Sequence, residues 1–192
     1  MFPSPAHHLR LAFCVPGILH AEKSPSQIDA DHALQTFRIN TIGPMLVMKH
    51  FSDFLPRKAS SLEVAKDEYI DSTGLPPHAI WATMSARVGS TTDNSKGGWY
   101  SYRASKAGVT SLTKTFDLWL RNHSGDKAAA VALHPGTVRT GLSRDYWEGV
   151  EKEGKLFEPD YAAGKLLEVV RGLYLESGRG RCWDWAGKEI KP

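Results

Sequence analysis

Gly98-Trp99-Tyr100-Ser101-Tyr102-Arg103-Ala104-Ser105-Lys106-Ala107-Gly108 is the stretch on which the reading of this 192-residue chain turns. Ala104, Gly108, Leu112 and Phe116 recur every fourth residue, with Ala107, Ser111, Thr115 and Trp119 in the adjacent row. That spacing predicts a long helix following Tyr102, whose small early residues permit close packing. Tyr102 and Lys106 lie four apart, so at the helix start they project from one face. A free phenol, with a pKa of about 10, is a poor acid or base near neutrality, and an adjacent ammonium is expected to lower it toward the working range. By itself Tyr-x-x-x-Lys is usually an ordinary amphipathic surface pair. The flanking elements therefore decide its meaning.

Three short apolar runs surround this helix. Leu11 to Val15 closes at Pro16-Gly17, Ala79 to Met84 ends at Ser85, and Ala128 to Leu133 is halted by Pro135-Gly136. Each suits a buried strand. Asp29 to Leu55 is helical in pattern, with Asp29 or Asp31 as cap, an apolar side through Leu46, Val47, Phe51 and Phe54, and an interruption expected at Pro44. Arg57 to Pro77 reads as an extended surface connection, Gly141 to Phe157 as a loop, and Pro159 to Leu175 as an amphipathic helix with Leu166, Leu167, Val170 and Leu173 inward and Gly178 at its end. Arg181 to Trp185 reads as a short strand from which Gly187 turns the chain outward. Gly97-Gly98 reads as a loop breaker, with no helix expected directly behind it. Strands alternating with helices imply a parallel sheet covered on both faces.

In such a sheet, ligands bind at the carboxyl ends of the strands. Ser85 and the segment from His134 to Thr140 should meet at that edge. Asn40 lies inside the preceding helix, where its amide could divert backbone groups and hold water.

Composition sets bounds. Hydrophobic residues are 41% and charged residues 23%, as in a soluble globular protein, and one domain spanning 1–192 is expected. The net charge of +3 is scattered, which gives no electrostatic footprint for nucleic acid. Cys14 and Cys182 suggest neither a disulfide framework nor a zinc site, and the eight histidines lack metal-ligand spacing. The six tryptophans read as core or interface residues, with Trp147 in the expected lid as the exception to watch. Neither a leader nor a membrane span is legible, so a cytoplasmic location is expected.

Taken together, Asn40-Thr41, Ser85, Gly98 through Gly108 and Pro135-Gly136-Thr137-Val138-Arg139-Thr140, in this order, resemble the short-chain dehydrogenase/reductase family, and most closely its C-factor-like and sniffer-like carbonyl reductase branch. The resemblance runs from about residue 11 to the C-terminus. It implies an α/β fold: a partial Rossmann-like, doubly wound parallel sheet with helices on both faces, lacking the first strands and the glycine-rich turn. It also implies an Asn40–Ser85–Tyr102–Lys106 site for NAD(P)-dependent interconversion of a carbonyl and an alcohol, with NADP favoured and a small-molecule substrate. Tyr102 would move the proton and Ser85 would bond the substrate oxygen. Lys106 would lower the Tyr102 pKa and hold the nicotinamide ribose, and Asn40 would hold a relay water. Pro135, Gly136, Val138 and Thr140 would contact the nicotinamide end, and the loop Gly141 to Phe157 would cover the substrate.

Two departures stand out. The family commonly places its serine three residues before the glycine matching Gly89, a position occupied here by Ala86. Ser85 is one residue early, within what a bulge absorbs, and Ser90 is the fallback. No glycine precedes Gly17, so the dinucleotide fingerprint is missing. Two further readings stay open: a non-catalytic remnant acting as an interaction protein, with self-association through the two long helices, and an incomplete gene product.

Overall fold

A computed structural model describes residues 8–60 and 74–192. The chain begins with β1 (Leu11–Cys14), followed by α1 (Ala30–Phe37), a π-turn (Arg38–Ile42) and α2 (Gly43–Phe51). Next come β2 (Ala79–Met84), α3 (Tyr100–His123) and β3 (Ala128–His134). The remainder consists of β4 (Thr137–Val138), α4 (Trp147–Lys152), β5 (Leu156–Phe157), α5 (Pro159–Arg171), α6 (Leu175–Gly178), β6 (Cys182–Asp184) and β7 (Glu189–Ile190).

The main sheet has the order β1-β2-β3-β6-β7. Its first four strands are parallel, with Leu11 opposite Ile80, Ala79 opposite Ala128 and Ala132 opposite Cys182. Parallel strands need crossover helices, and those helices bury both faces, which is why these strands are apolar without alternation. One face packs Cys14, Ala79, Trp81, Ala128 and Ala130 against Met48 of α2 and Phe116 and Leu120 of α3. The other packs Ile80, Ala82, Val131 and Leu133 against Leu166 and Val170 of α5. Trp81, 1% exposed, meets Phe116 edge-on at 5.4 Å. Cys14 on β1 and Cys182 on β6 are free and buried. Among the described residues no helix is long and apolar enough to cross a membrane.

Several expectations need correction. The long helix begins at Tyr100, directly behind Gly97, Gly98 and Trp99, all three in the left-handed region at φ 64°, 68° and 52°. The segment 141–157 is no bare loop: a 3-10 turn (Gly141–Tyr146), α4 and β5 fill it. The helix from Pro159 stops at Arg171, and Gly178 ends a separate short turn of helix. Gly187 (φ 74°) folds the chain back rather than outward, so β7 pairs antiparallel with β6. Asp29 is the cap of α1, its carboxylate accepting from His32 N at 2.9 Å. Residues 61–73 of the expected surface connection lie outside the described residues.

A buried ion pair ties α3 to the sheet. β6 meets β3 only from Ala132 onward, so the Ala130 N–H has no strand partner on that side. Asp117, 0% exposed, supplies one: its Oδ1 accepts from Ala130 N at 3.1 Å and from Arg179 Nε at 2.9 Å. The Arg179 guanidinium also donates to the carbonyls of Gly125 and Ala128. Removing one member of such a network leaves a buried charge uncompensated, at a cost of about 3–5 kcal/mol. Asp117→Ala should therefore lower the unfolding free energy by about that amount in urea denaturation.

Candidate active site

The carboxyl ends of β1, β2 and β3 lie along one edge, as parallel pairing requires. Lys106 reaches that edge from α3: its Nζ donates to the Met84 carbonyl at 2.8 Å and lies 5.8 Å from the Tyr102 ring centroid. Both side chains are buried, Lys106 to 2% and Tyr102 to 8% exposure. Burial penalises whichever form is charged. It pulls Lys106 down to about 8 and pushes Tyr102 up to about 12. The expected lowering of the phenol is therefore not what the structure gives: desolvation alone sets the direction, and the Lys106 ammonium is turned to the Met84 carbonyl.

Asn40 is wholly buried and cross-links three segments. Its Oδ1 accepts from Ile18 N at 2.8 Å, and its Nδ2 donates to Ile18 O at 2.9 Å and to Ser105 Oγ at 3.0 Å. Thr41 adds a bond from its hydroxyl to the Ser105 carbonyl. The π-turn that presents Asn40 follows from sequence: residue 44 is proline, so the Asn40 carbonyl lacks the N–H that would be its α-helical donor. Gly17 lies over this floor. A side-chain carbon there would come 3.5 Å from Lys106 Nζ and 3.8 Å from Leu142, so its absence leaves a gap between the two.

The serines are placed elsewhere. Ser85 is 2% exposed, and its hydroxyl bonds to the Lys106 carbonyl at 3.1 Å and to Thr110 Oγ1 at 3.0 Å, within the β2–α3 packing. Ser90 donates to the Lys191 carbonyl. Residue 86, three before Gly89, is a buried alanine and offers no hydroxyl. Thus Asn40, Tyr102 and Lys106 are brought together, whereas neither serine has its hydroxyl free for them.

The segment after β3 is held by sheet pairing: Thr137 and Val138 lie opposite Leu156 and Phe157. Gly136 (φ 78°) is obligatory, since a side-chain carbon would sit 2.6 Å from the Phe157 ring. Arg139 ties the segment after β3 to the following elements through Glu151 at 2.7 Å and Glu158 at 2.9 Å, and it lies over the Trp147 ring. Thr140 caps the 3-10 turn, and the Ser143 hydroxyl accepts from Trp147 Nε1 at 2.9 Å.

Sequence reasoning missed three residues. Glu22, from a loop read only as polar, is 3% exposed, and its Oε2 accepts from Ser101 N at 3.0 Å at the start of α3. Its carbonyl accepts from Trp99 N at 2.6 Å. Trp99 then stands edge-on to both Tyr102 (6.2 Å) and Tyr146 (4.9 Å). No local pattern announces a capping carboxylate supplied from so far away.

Comparison with known proteins is consistent with this geometry. No family model matches the chain. It is 31% identical over 166 residues to C-signal of Myxococcus xanthus, covering 84% of this chain and 81% of that protein. The chain belongs to the short-chain dehydrogenase/reductase family. A second relative in that family, the 1-hydroxy-2-glutathionyl-2-methyl-3-butene dehydrogenase of Rhodococcus sp. (strain AD45), is 30% identical over 172 residues; the match covers 89% of this chain and 64% of the dehydrogenase. Among solved structures, NADPH-bound carbonyl reductase from chicken fatty liver superposes with a TM-score of 0.76 at 25% identity, covering 97% of this chain and 67% of the reductase. Carbonyl reductase Sniffer of D. melanogaster shares the fold with a TM-score of 0.77 at 21% identity and the same coverage.

At the end of β3, His134 is half-buried beside the Arg87–Asp184 ion pair (2.6 Å), and its enclosed Nδ1 has no hydrogen-bond partner. Burial and Arg87 lower its pKa to about 4, and burial does the same to His78. Both rings stay neutral in the native state down to about pH 4, while unfolded histidines bind protons near 6.5. Stability is therefore complete above about pH 6.5 and falls as the pH is lowered toward 4, by about 1.4 kcal/mol per pH unit for each histidine. His134→Asn should remove one histidine's share of that slope in denaturation measured between those limits.

Proposed function

We propose that the chain acts as an NAD(P)-dependent oxidoreductase interconverting a small-molecule carbonyl and an alcohol. The convergence of Tyr102, Lys106 and Asn40 beneath Gly17 carries this reading. The residues present fit the nicotinamide-ribose end of a dinucleotide. Lys106 brings an ammonium to the edge, Gly17 leaves room beside it, and Pro135, Gly136, Val138 and Thr140 offer main-chain groups and a hydroxyl. NADP is the favoured form, in line with the NADPH bound to the chicken reductase. The adenosine end finds no glycine-rich strand-to-helix turn among the described residues.

When bound, the nicotinamide supplies or accepts the hydride. The chain's own residues manage the proton. Tyr102, still protonated at neutral pH, donates to the substrate oxygen as negative charge develops there, which favours the direction of carbonyl reduction. Lys106 then stabilises the phenolate. The Asn40 main-chain carbonyl, deprived of a helical donor by Pro44, is the group we assign to a relay water, since the side-chain amide is engaged by Ile18 and Ser105. With alanine at 86, no serine hydroxyl polarises the carbonyl, so turnover should be slow.

Tyr102→Phe should abolish reduction of a generic ketone by NADPH without altering the circular dichroism spectrum. Ala86→Ser should raise kcat by about tenfold or more, a fraction of what one oxyanion donor contributes in other enzymes. The reduction rate should be level below about pH 8 and decline above it as Lys106 loses its proton, with Tyr102 still protonated.

A second reading, a non-catalytic interaction protein, draws support from the engagement of both serines and from the exposure of Leu34, Leu46 and Phe51 on α1 and α2. Fluorescence titration with NADPH separates the two: binding below millimolar concentration favours the enzyme, and no binding at millimolar levels favours the interaction protein.

A further inference from the structure

Among the described residues, Trp99 is the one residue other than glycine with a positive φ, at φ 52° and ψ 47°. A bulky side chain in the left-handed region strains the backbone, and such strain persists only where the surroundings over-determine it. The surroundings here are firm. Trp99 N donates to the Glu22 carbonyl at 2.6 Å, the Trp99 carbonyl accepts from Arg103 N at 2.8 Å, and the Arg103 guanidinium holds the carbonyls of Gly97 at 3.0 Å and Gly98 at 2.9 Å. All of these bonds use the main chain of residues 97 to 99. Glycine in place of Trp99 would make every one of them without strain, as its two predecessors do. The reason for an indole therefore lies in its ring.

That ring spans from the proposed acid to a second element. It stands edge-on to Tyr102, with centroids 6.2 Å apart and planes at 80°, and to Tyr146, the last residue of the 3-10 turn, at 4.9 Å and 64°. Tyr102 keeps only 8% of its surface exposed, and its ring also faces Lys106 Nζ at 5.8 Å. A substrate oxygen has to reach the phenol through what is left, so the half-buried indole beside it borders the approach.

We propose that Trp99 determines substrate size: its indole, wedged between Tyr102 and Tyr146, admits compact ketones and aldehydes to Tyr102 and turns away those carrying bulky aromatic groups. The inference rests on the oxidoreductase reading above and adds a size class to it.

Two methyl ketones that share their reacting group test it, 2-butanone and 4,4-diphenyl-2-butanone, with kcat/KM measured by NADPH consumption in the unmodified chain, Trp99→Gly and Trp99→Asn. Glycine and asparagine best tolerate the left-handed region, so the start of α3 is kept, and Trp99→Asn carries the test if Trp99→Gly does not fold. The ratio of the large ketone to the small should rise about tenfold or more in both variants, through the KM of the large ketone. A second readout needs no turnover. Nuclear magnetic resonance of ring-labelled tyrosine, with Tyr102 assigned by Tyr102→Phe, should show its titration moving from about 12 down toward about 10 once the indole no longer covers it. An unchanged ratio would overturn the size selection and leave Trp99 as a clasp between α3 and the 3-10 turn. A lower ratio would overturn it too, as the mark of a surface on which aromatic substrates stack. An unchanged titration would mean that the indole does not cover Tyr102, which overturns the proposal at its base. No turnover of either ketone by any of the three chains would remove the oxidoreductase reading, and the size selection with it.

Discussion

The side-chain amide of Asn40 joins the loop that leaves β1, the helix interrupted by the π-turn, and the first turns of α3. An amide can do this because it offers an acceptor and two donors in one plane, which matches the N–H and C=O of Ile18 with one donor left for Ser105. The site depends on that cross-link. Ile18 fixes Gly17 over Lys106, and Ser105 fixes the turn of α3 that carries both Tyr102 and Lys106. Water could satisfy the same groups singly but would not hold their relative positions.

Burial then determines how the site behaves. Tyr102 and Lys106 come from a helix packed on a sheet whose strands are apolar on both faces, so both sit in a medium that disfavours charge. The phenol is kept as an acid and the ammonium is brought within reach of neutrality. In the reaction proposed above, such a pair would give a proton to a substrate oxygen more readily than take one away.

Much of this was legible in the sequence because it depends on local rules. Apolar runs, two of them ended by Pro-Gly and one by Ser85, located three strands, fourfold spacing located α3, and Pro44 announced a break in the helix. What was illegible depends on distant partners. Ser85 reads like a site residue until Thr110 and the Lys106 carbonyl are seen to take its hydroxyl. Glu22 reads like an ordinary loop acid until the start of α3 folds against it, and a helix start behind three left-handed residues has no cap signal of its own. Arg181 to Trp185 announced β6, but its partner β7 escaped, since a two-residue strand carries no periodicity.

The two thiols illustrate what this burial means for handling the molecule. Cys14 sits on the edge strand beside Lys106, and Cys182 sits in β6 on the far side of the sheet, with its thiol pushed up to about 12. Alkylating reagents attack the thiolate, so both residues are inert while the sheet is closed. Each becomes a clock for the opening of its own strand, and the order in which they acquire a label reports whether the sheet frays from β1 inward or separates as one unit.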